Sequence, residues 1–260
     1  MKPVTVLKGT LPVVLAFPHS STQLPIDAAD DLNANGRLLS DTDWYLPKLY
    51  DGVLPHATRV EAKFHRYVID ANRAPSGESL YPGQATTGLV PDTDFDGNSI
   101  RKTPLARAAQ MQRLATYHDA YHRALKEQIG RVRETYGFAI LYDCHSIRGQ
   151  IPRLFDGLLP DLNIGTFDDA SCDPTIAHRV EASCKQARDF TSVLNGRFKG
   201  GWTTRHYGKP ENGVHAIQME ISQSTYLRSE NAPWIYDPLK AEKLRKVLKT
   251  VLEELSEWKP

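Results

Sequence analysis

Two histidines in this sequence follow apolar runs, at points where a sheet edge could expose them to a cleft. His19 comes one proline after the run PVVLAF at 12–17, and His145 directly follows FAILYDC at 138–144. Catalytic zinc is usually held by three protein ligands, often imidazoles, with one position open for water. A histidine after a strand more often forms a structural hydrogen bond, but two of them with carboxylates nearby favour a metal site.

The third ligand should be an acid near the start of a helix, and the segment DTDWYLPKLYDGV at 41–53 is predicted to be a short helix. Asp43 and Asp41 stand at its beginning. Either could complete the metal site, or both could only cap the helix, and the local pattern does not separate these alternatives. Asp143 is expected to support the ligands rather than to bind the metal, because adjacent strand residues point to opposite faces.

A lone acid and an amide–guanidinium pair could act on a substrate. Glu220 lies in the otherwise apolar run VHAIQMEIS at 214–222. An unpaired carboxylate buried there is costly or has a raised pKa, which suits a general base, although a structural ion pair fits equally well. Asn72 and Arg73 follow RYVIDA at 66–71, and arginine can bind a carboxylate through two parallel N–H bonds, although an isolated arginine more often forms a surface salt bridge.

Two other pairs of reactive residues are weaker candidates. Cys144 and His145 are neighbours in a predicted strand, so their side chains should diverge, and a nucleophilic cysteine normally pairs with a distant histidine. His118 and His122 are four residues apart on a predicted helix and could bind a metal. A partly exposed helix face is the favoured interpretation of that second pair.

The elements that must position these residues alternate between strands and helices. Strands are predicted at 12–17, 57–62, 66–71, 138–144, 191–198 and 214–222, and helices at 41–53, 104–137, 173–190 and 238–258. This alternation predicts an α/β fold with a mostly parallel sheet covered by helices on both faces, in a single domain over 1–260. Ligands bind beyond the carboxyl ends of strands in such sheets, and loops at 75–103 and 199–213 could close over them.

The composition excludes several classes of partner. Lys and Arg total 32 against 31 Asp and Glu, so no basic surface for nucleic acid or membrane is expected. Three cysteines without a spacing pattern argue against a disulfide framework and for a reducing compartment. No apolar run is long enough to span a bilayer, so a soluble, cytoplasmic protein is expected. The sequence does not indicate an oligomeric state.

Longer motifs give a more specific indication. They run in order from 17 to 227: FPHSSTQLP, SDTDWYLPKLYD, RYVIDANRAPSGESLYPGQATTGLVP, YHDAYHRAL, LYDCHSIRGQIPRLFDG, NGRFKGGWTTRHYG and AIQMEISQSTYL. Together they resemble the N-formylglutamate amidohydrolase (N-formylglutamate deformylase) family. The resemblance implies a fold like that of the zinc carboxypeptidases, a mixed, mostly parallel sheet between helices, with one divalent metal ion, expected to be zinc.

The resemblance also implies roles for residues in this chain. In the wider superfamily two histidines and an acid hold the metal, an Asn-Arg pair binds the substrate carboxylate, and a late glutamate is the base. His19, His145, Asn72–Arg73 and Glu220 follow that order here. Carboxypeptidases place the acid three residues after the first histidine, where this chain has Thr22. Asp43 is therefore chosen as the third ligand.

The activity implied is hydrolysis of N-formyl-L-glutamate to formate and L-glutamate, the last step of a histidine degradation route. The metal would polarise the formyl oxygen and activate a water, and Glu220 would take its proton. The substrate has two carboxylates, so two cationic anchors are expected. Arg73 is the first, and the second is to be sought among Arg66, Arg148, Arg153 and Arg205.

Two alternatives stay open on the sequence alone. One is a metallo-hydrolase acting on another N-acyl amino acid or on a C-terminal peptide bond. The other is a non-catalytic protein that binds acidic ligands on the same fold.

Overall fold

The computed structural model describes residues 2–79, residue 83 and residues 86–260. Its strands are β1 (Val4–Leu7), β2 (Val13–Phe17), β3 (Thr58–Ala62), β4 (Ala139–Ile147), β5 (Leu162–Gly165), β6 (Ser192–Leu194) and β7 (Val214–Ser222). Its α-helices are α1 (Ile26–Asp31), α2 (Leu46–Leu49), α3 (Arg107–Arg113), α4 (Asp119–Tyr136), α5 (Pro174–Gln186), α6 (Trp202–Tyr207) and α7 (Pro238–Glu257). None of these helices combines the length and the apolar character needed to cross a bilayer.

The seven strands of the described chain form one sheet in the order β1-β3-β2-β4-β7-β5-β6. β1 runs antiparallel to β3, and β5 runs antiparallel to β7. The other neighbouring strands are parallel. The prediction of a mixed, mostly parallel sheet is therefore confirmed, whereas the likeness to zinc carboxypeptidases stays a prediction.

Helices cover the sheet on both faces because its central strands are apolar on both sides. Every residue of β2, β4 and β7 is buried. Val13 and Leu15 pack in one core with α5 and α7, and Val14 and Ala16 pack in a second core with α4. Continuous apolar runs of this kind are typical of strands buried on both faces.

The long helix predicted at 104–137 is present but starts later and is not regular. Residue Ala106 is extended, and the helical segment begins with α3. A π-helical turn at Leu114–His118 joins α3 to α4. The segment ends at Gly137, whose φ of +82° is in the left-handed region that glycine adopts most easily.

Three local predictions are wrong. Residues 66–71 form no strand but a buried turn, in which the Val68 N–H donates to His65 O and the Asp70 N–H donates to Leu89 O. The helix predicted at 41–53 is reduced to α2, because Tyr45 has a left-handed backbone that starts the helix late. The predicted loop at 199–213 contains α6 and a 3₁₀ turn at Pro210–Asn212.

The predicted loop at 75–103 is described only in part. Residues 80–82, 84 and 85 lie outside the described residues, as does residue 1. The described part of this loop contains neither helix nor strand. Four elements were not predicted: the edge strand β1, the short helices α1 and α6, and the strand β5.

Candidate metal centre and active site

The candidate site lies at the carboxyl ends of the central parallel strands. His19 follows β2, and its carbonyl accepts the Asp43 N–H at 3.1 Å, which holds the segment before α2 against β2. His145 and Glu220 are directly paired on the neighbouring strands β4 and β7. The sequence predicted that His145 would follow its strand. It lies within β4 instead, because that strand continues to Ile147.

The structure brings His19, Asp43 and His145 together in an arrangement that suits a metal ion. One ligand atom from each residue lies within 4.8 Å of the others, and all three residues are buried. The Nδ1 atom of His145 is 3.3 Å from Asp43 Oδ2. Two imidazole nitrogens and one carboxylate oxygen form a donor set that zinc accepts, with a fourth position left for water.

Asp70 fixes the orientation of the His19 ring. His19 Nε2 donates to Asp70 Oδ1 at 2.7 Å. His19 Nδ1 is buried and has no hydrogen-bond partner among the described residues. A buried polar nitrogen without a partner is costly, so a cation bound by Nδ1 fits this ring. Burial and the nearby Arg66 lower the pKa of His19, which keeps the ring neutral and able to act as a ligand.

Asp143 supports His145 from the same side of β4. His145 Nε2 is 3.1 Å from Asp143 Oδ2. The two residues are two apart in the strand, so their side chains lie on one face. The expectation that side chains here lie on opposite faces of the strand was therefore wrong. Asp143 nevertheless contacts His145 without belonging to the cluster of His19, Asp43 and His145. Cys144, between them, points into the apolar core with α5 and α7, and burial raises its thiol pKa.

The site holds more buried carboxyl groups than buried cationic groups. The buried acids around His19 and His145 are Asp41, Asp43, Asp70, Asp143 and Glu220. The buried Arg66 lies 2.8 Å from Asp70 Oδ2 and 3.8 Å from Asp43 Oδ1. Burial alone would lower the pKa of His145, but the carboxylates around it hold that pKa well above its usual value. This environment favours a positive charge where a metal ion would sit.

Asp41 occupies a different position from Asp43. Its Oδ2 accepts the Phe95 N–H at 3.0 Å, and its carboxylate is outside the cluster of metal-ligating atoms. Burial raises the pKa of Asp41 to about 7, partly opposed by Arg66. Asp41 therefore holds the 94–95 turn against the site, whereas Asp43 faces the histidines.

Glu220 is held by a short chain of hydrogen bonds. The Gly201 N–H donates to Gln218 Oε1 at 2.6 Å, and Gln218 Nε2 donates to Glu220 Oε2 at 3.0 Å. Burial raises the pKa of Glu220 to about 8, with His145 opposing the shift. A carboxyl group with a raised pKa, oriented by a donor, can take up and release a proton near neutral pH.

Asn72 joins the cluster of His19, Asp43 and His145 to α6. Its Nδ2 is 3.1 Å from His145 Nε2, and its Oδ1 accepts the Thr203 N–H at 2.8 Å. Gly201 packs directly against this amide, since a Cβ atom on Gly201 would lie 2.2 Å from Asn72 Nδ2. Only glycine fits at position 201 without displacing Asn72.

His118 and His122 are buried, not partly exposed as expected, and they support the Asn72–Arg73 segment. His118 Nε2 donates to the carbonyl oxygen of Arg73 at 3.0 Å, and His122 Nε2 donates to that of Ala71 at 2.8 Å. His118 is the last residue of the π-helical turn, which sets where its ring meets the segment. Burial lowers the pKa of both rings, that of His122 to about 3, so both are neutral donors.

A single cavity collects the residues that could contact a substrate. Its described lining is His19, Arg66, Asn72, Arg73, Thr86, Thr87, Phe95, His145, Ser146, Ile147, Leu154, Arg197, Phe198, Gly201, Gln218 and Glu220. Of the predicted arginines, Arg66 and Arg73 are in this lining. Arg148, Arg153 and Arg205 are not.

The other predicted anchors are used elsewhere, which corrects the expectation for them. Arg148 forms an ion pair with Asp96 at 2.8 Å. Arg205 donates from Nε to Gly200 O at 2.9 Å, and its guanidinium lies over the Phe167 ring. Arg153 is exposed to solvent. Arg148 and Arg205 are thus held by partners outside the cavity lining.

Three residues of the site were missed in the sequence. Asp70 is an acid inside an apolar run, the same signal that singled out Glu220. Gln218 is two residues before Glu220, so it lies on the same strand face. Arg197 had no local signal, because its position depends on how its loop folds over the strand ends.

Comparisons with known proteins point to one family. Residues 11–227 match the family model described as N-formylglutamate amidohydrolase. A protein named N-formylglutamate deformylase from Pseudomonas aeruginosa is 45% identical over 254 residues, covering 96% of this chain and 95% of that protein. The protein of the same name from Pseudomonas putida is 44% identical over 254 residues, covering 96% of this chain and 94% of that protein.

A solved structure supports the fold. The crystal structure of an N-formylglutamate amidohydrolase from Ralstonia eutropha JMP134 is similar to this chain with a TM-score of 0.82. The match covers 99% of this chain and 98% of that chain at 24% identity. At that identity the comparison shows a shared fold.

Proposed function

The chain belongs to the N-formylglutamate amidohydrolase family, and on that premise we propose that it hydrolyses N-formyl-L-glutamate to formate and L-glutamate with the help of one divalent metal ion, which we propose is zinc. We propose further that the whole chain, 1–260, is one catalytic domain and that the reaction is the last step of a histidine degradation route. The observation that carries the proposal is the cavity in which a His-Asp-His cluster, a buried glutamate and arginines meet.

His19, Asp43 and His145 are the residues that would hold the metal. A divalent cation bound there supplies a Lewis acid that polarises an amide carbonyl and lowers the pKa of water. Asp70 and Asp143 orient the two imidazole rings through their other nitrogens. Supporting carboxylates of this kind fix the ring orientation and make the ligand nitrogen more basic.

Glu220 is proposed as the general base. It is buried beside His145, and Gln218 holds one of its carboxyl oxygens. Its carboxylate would take a proton from the attacking water and return that proton to the nitrogen of the leaving glutamate. Positioned groups that transfer a proton in this way contribute about 10²–10⁴ in rate.

Asn72 and Arg73 are proposed to bind a carboxylate of the substrate. Arg73 donates from Nε to Thr87 O at 2.9 Å and from Nη2 to Thr87 Oγ1 at 3.1 Å. These bonds fix the guanidinium at the cavity wall, so less conformational freedom is lost when a substrate binds. His118 and His122 hold the backbone on both sides of Asn72.

The proposal is tested by measuring formate release from N-formyl-L-glutamate by the purified, metal-loaded protein. The panel should include N-acetyl-L-glutamate, N-formyl-L-methionine and a peptide with a free C-terminus. The expected result is the highest kcat/KM for N-formyl-L-glutamate. A higher kcat/KM for another N-acyl amino acid or for the peptide would show that the proposed substrate is wrong. Binding of N-formyl-L-glutamate without hydrolysis would indicate a non-catalytic binder.

A further inference from the structure

The cavity contains more than one cationic group, and they differ in their surroundings. In its described lining the arginines are Arg66, Arg73 and Arg197. A substrate with two carboxylates needs two of them. The position of each guanidinium in the cavity and its contacts with protein carboxylates among the described residues indicate which two.

Arg66 forms ion pairs with carboxylates of the protein. It contacts Asp70 at 2.8 Å and Asp43 at 3.8 Å, and its Nη1 is 3.5 Å from the carbonyl oxygen of Asp41. Its positive charge is largely balanced by these acids. Arg66 therefore stabilises the buried acids around the metal ligands and is a poor anchor for a further anion.

Arg73 lies at a polar end of the cavity. Its guanidinium donates to Thr86 Oγ1 at 3.3 Å and to the oxygens of Thr87, and Asn72 is its neighbour in the chain. Its Nη1 is 3.9 Å from Asp70 Oδ2, a longer contact than the 2.8 Å between Arg66 and the same carboxylate. Asn72 also touches His145, so this end adjoins the metal-ligating side. A carboxylate close to the amide that reacts would meet Arg73.

Arg197 lies at an apolar part of the same cavity. Its Nε donates to Leu154 O at 2.8 Å, and its guanidinium carbon is 5.4 Å from the Phe198 ring centroid. Ile147, Leu154 and Phe198 belong to one hydrophobic cluster, and all three line the cavity. Arg197 thus offers a positive charge beside an apolar wall, with its guanidinium oriented by the bond through Nε.

The chemistry of N-formylglutamate matches this division. Its α-carboxylate is attached to the carbon that bears the formyl amide, whereas its side-chain carboxylate lies beyond two methylene groups. We propose that Arg197 binds the side-chain carboxylate while the methylenes lie against Ile147, Leu154 and Phe198, and that Arg73 binds the α-carboxylate. This assignment rests on the proposed function and makes Arg197 the residue that selects for an acidic side chain.

The test combines variants with substrates that each lack one negative charge. N-formyl-L-glutamine lacks the side-chain charge, and N-formyl-L-isoglutamine lacks the α-charge. Arg197→Ala should lose at least about tenfold in kcat/KM on N-formyl-L-glutamate, since a hydrogen bond to a charged group is worth about 1.5–3 kcal/mol. The loss should appear mainly in KM, and the same variant should hydrolyse N-formyl-L-glutamine as the wild type does.

Arg73→Ala should show the opposite pattern. It should lose activity on N-formyl-L-glutamate and N-formyl-L-glutamine but not on N-formyl-L-isoglutamine.

Arg197→Lys should recover part of the activity that Arg197→Ala loses on N-formyl-L-glutamate, because lysine keeps the charge but not the fork of donors. Arg179→Ala, an exposed arginine of α5, is the matched control and should change no substrate ratio.

The outcomes separate the assignment from the proposed function. Comparing substrates within one variant removes effects of folding or metal content, since these change all substrates alike. Equal losses on N-formyl-L-glutamate and N-formyl-L-glutamine in Arg197→Ala, an unchanged preference, or exchanged patterns for the two arginines would overturn the assignment. A wild-type protein that does not hydrolyse N-formyl-L-glutamate would instead overturn the proposed function.

Discussion

Asp70 Oδ1 and His19 Nε2 are joined by a 2.7 Å hydrogen bond across 51 residues of the chain. The bond directs the other ring nitrogen of His19 toward Asp43 and His145. Asp70 also accepts the Asn72 N–H at 2.8 Å, so one carboxylate orients both His19, a proposed metal ligand, and Asn72, which is proposed to bind the substrate. Burial would raise the pKa of Asp70, but His19, Arg66 and Arg73 hold it well below its usual range, so it stays ionised.

Asp70→Asn should weaken metal binding without removing a ligand. The amide keeps the size of the side chain but loses the charge that orients His19 and makes it more basic. The affinity for Zn²⁺ should fall by about 10–100-fold, the usual effect of removing such a support. Competition with a chromophoric chelator measures this affinity. Asp189→Asn, at an exposed aspartate, is the control, and equal affinities in both variants would contradict the role of Asp70.

Glu220→Gln should keep the metal and lose the reaction. Glutamine preserves the size of the side chain but cannot accept the proton of the water. The rate should fall by about 10²–10⁴, while elemental analysis finds the wild-type metal content. Glu211→Gln, at an exposed glutamate, should leave both unchanged. Near-normal formate release from a metal-loaded Glu220→Gln protein would leave Glu220 as a structural ion-pair residue.

Gly201→Ala should lower kcat/KM but leave the metal content unchanged. The added methyl group would lie 2.2 Å from Asn72 Nδ2 and would push the Asn72 amide away from Thr203 and His145. Displacing such a group by about 1 Å can cost about 100-fold in rate. Steady-state kinetics and metal analysis should show reduced kcat/KM at normal metal content. The control is Gly130→Ala in α4, where a Cβ meets nothing within 4 Å and activity should not change.

His122→Gln should reduce the acid sensitivity of the fold. Burial lowers the pKa of His122 to about 3, so below pH 6.5 the unfolded chain takes up a proton that the folded chain does not. This group therefore loses its contribution to stability as the pH falls below 6.5. Glutamine can still donate to Ala71 O but does not titrate.

Urea unfolding of the metal-free proteins measures this effect. Between pH 6.5 and pH 5 the wild type should lose roughly 1–2 kcal/mol more unfolding free energy than His122→Gln, since one proton changes it by about 1.4 kcal/mol per pH unit. His178→Gln, at an exposed histidine of α5, should keep the wild-type dependence. The same dependence in His122→Gln would show that His122 is protonated in the folded state.

The central strands could be predicted because buried strands are rich in apolar residues. β2 is a continuous apolar run, and β4 and β7 are largely apolar, because helices cover both faces of the sheet. The same signal misled at 66–71, where loops rather than a sheet bury the apolar side chains. A buried turn and a buried strand have similar composition, so only the tertiary structure separates them.

The strand-end residues of the site were also predictable, but the place of Arg197 in the cavity was not. His19, His145 and Glu220 occupy or adjoin buried strands, where a polar residue is conspicuous. Arg197 lies in a segment with other polar residues, and its place in the cavity depends on its bond to Leu154, 43 residues away. The π-helical turn before α4 could not be predicted from the sequence either, because its residue types do not differ from those of an α-helix.

The most direct test is to measure metal content and formate release on the same samples of wild type, Asp43→Asn and Asp41→Asn. Both changes keep the size of a buried side chain, but only Asp43 faces His19 and His145. The wild type and Asp41→Asn should each hold one equivalent of metal and release formate from N-formyl-L-glutamate. Asp43→Asn, together with His19→Ala and His145→Ala, should lose both metal and activity. A full equivalent of metal with normal formate release in Asp43→Asn and in both histidine variants would contradict the site.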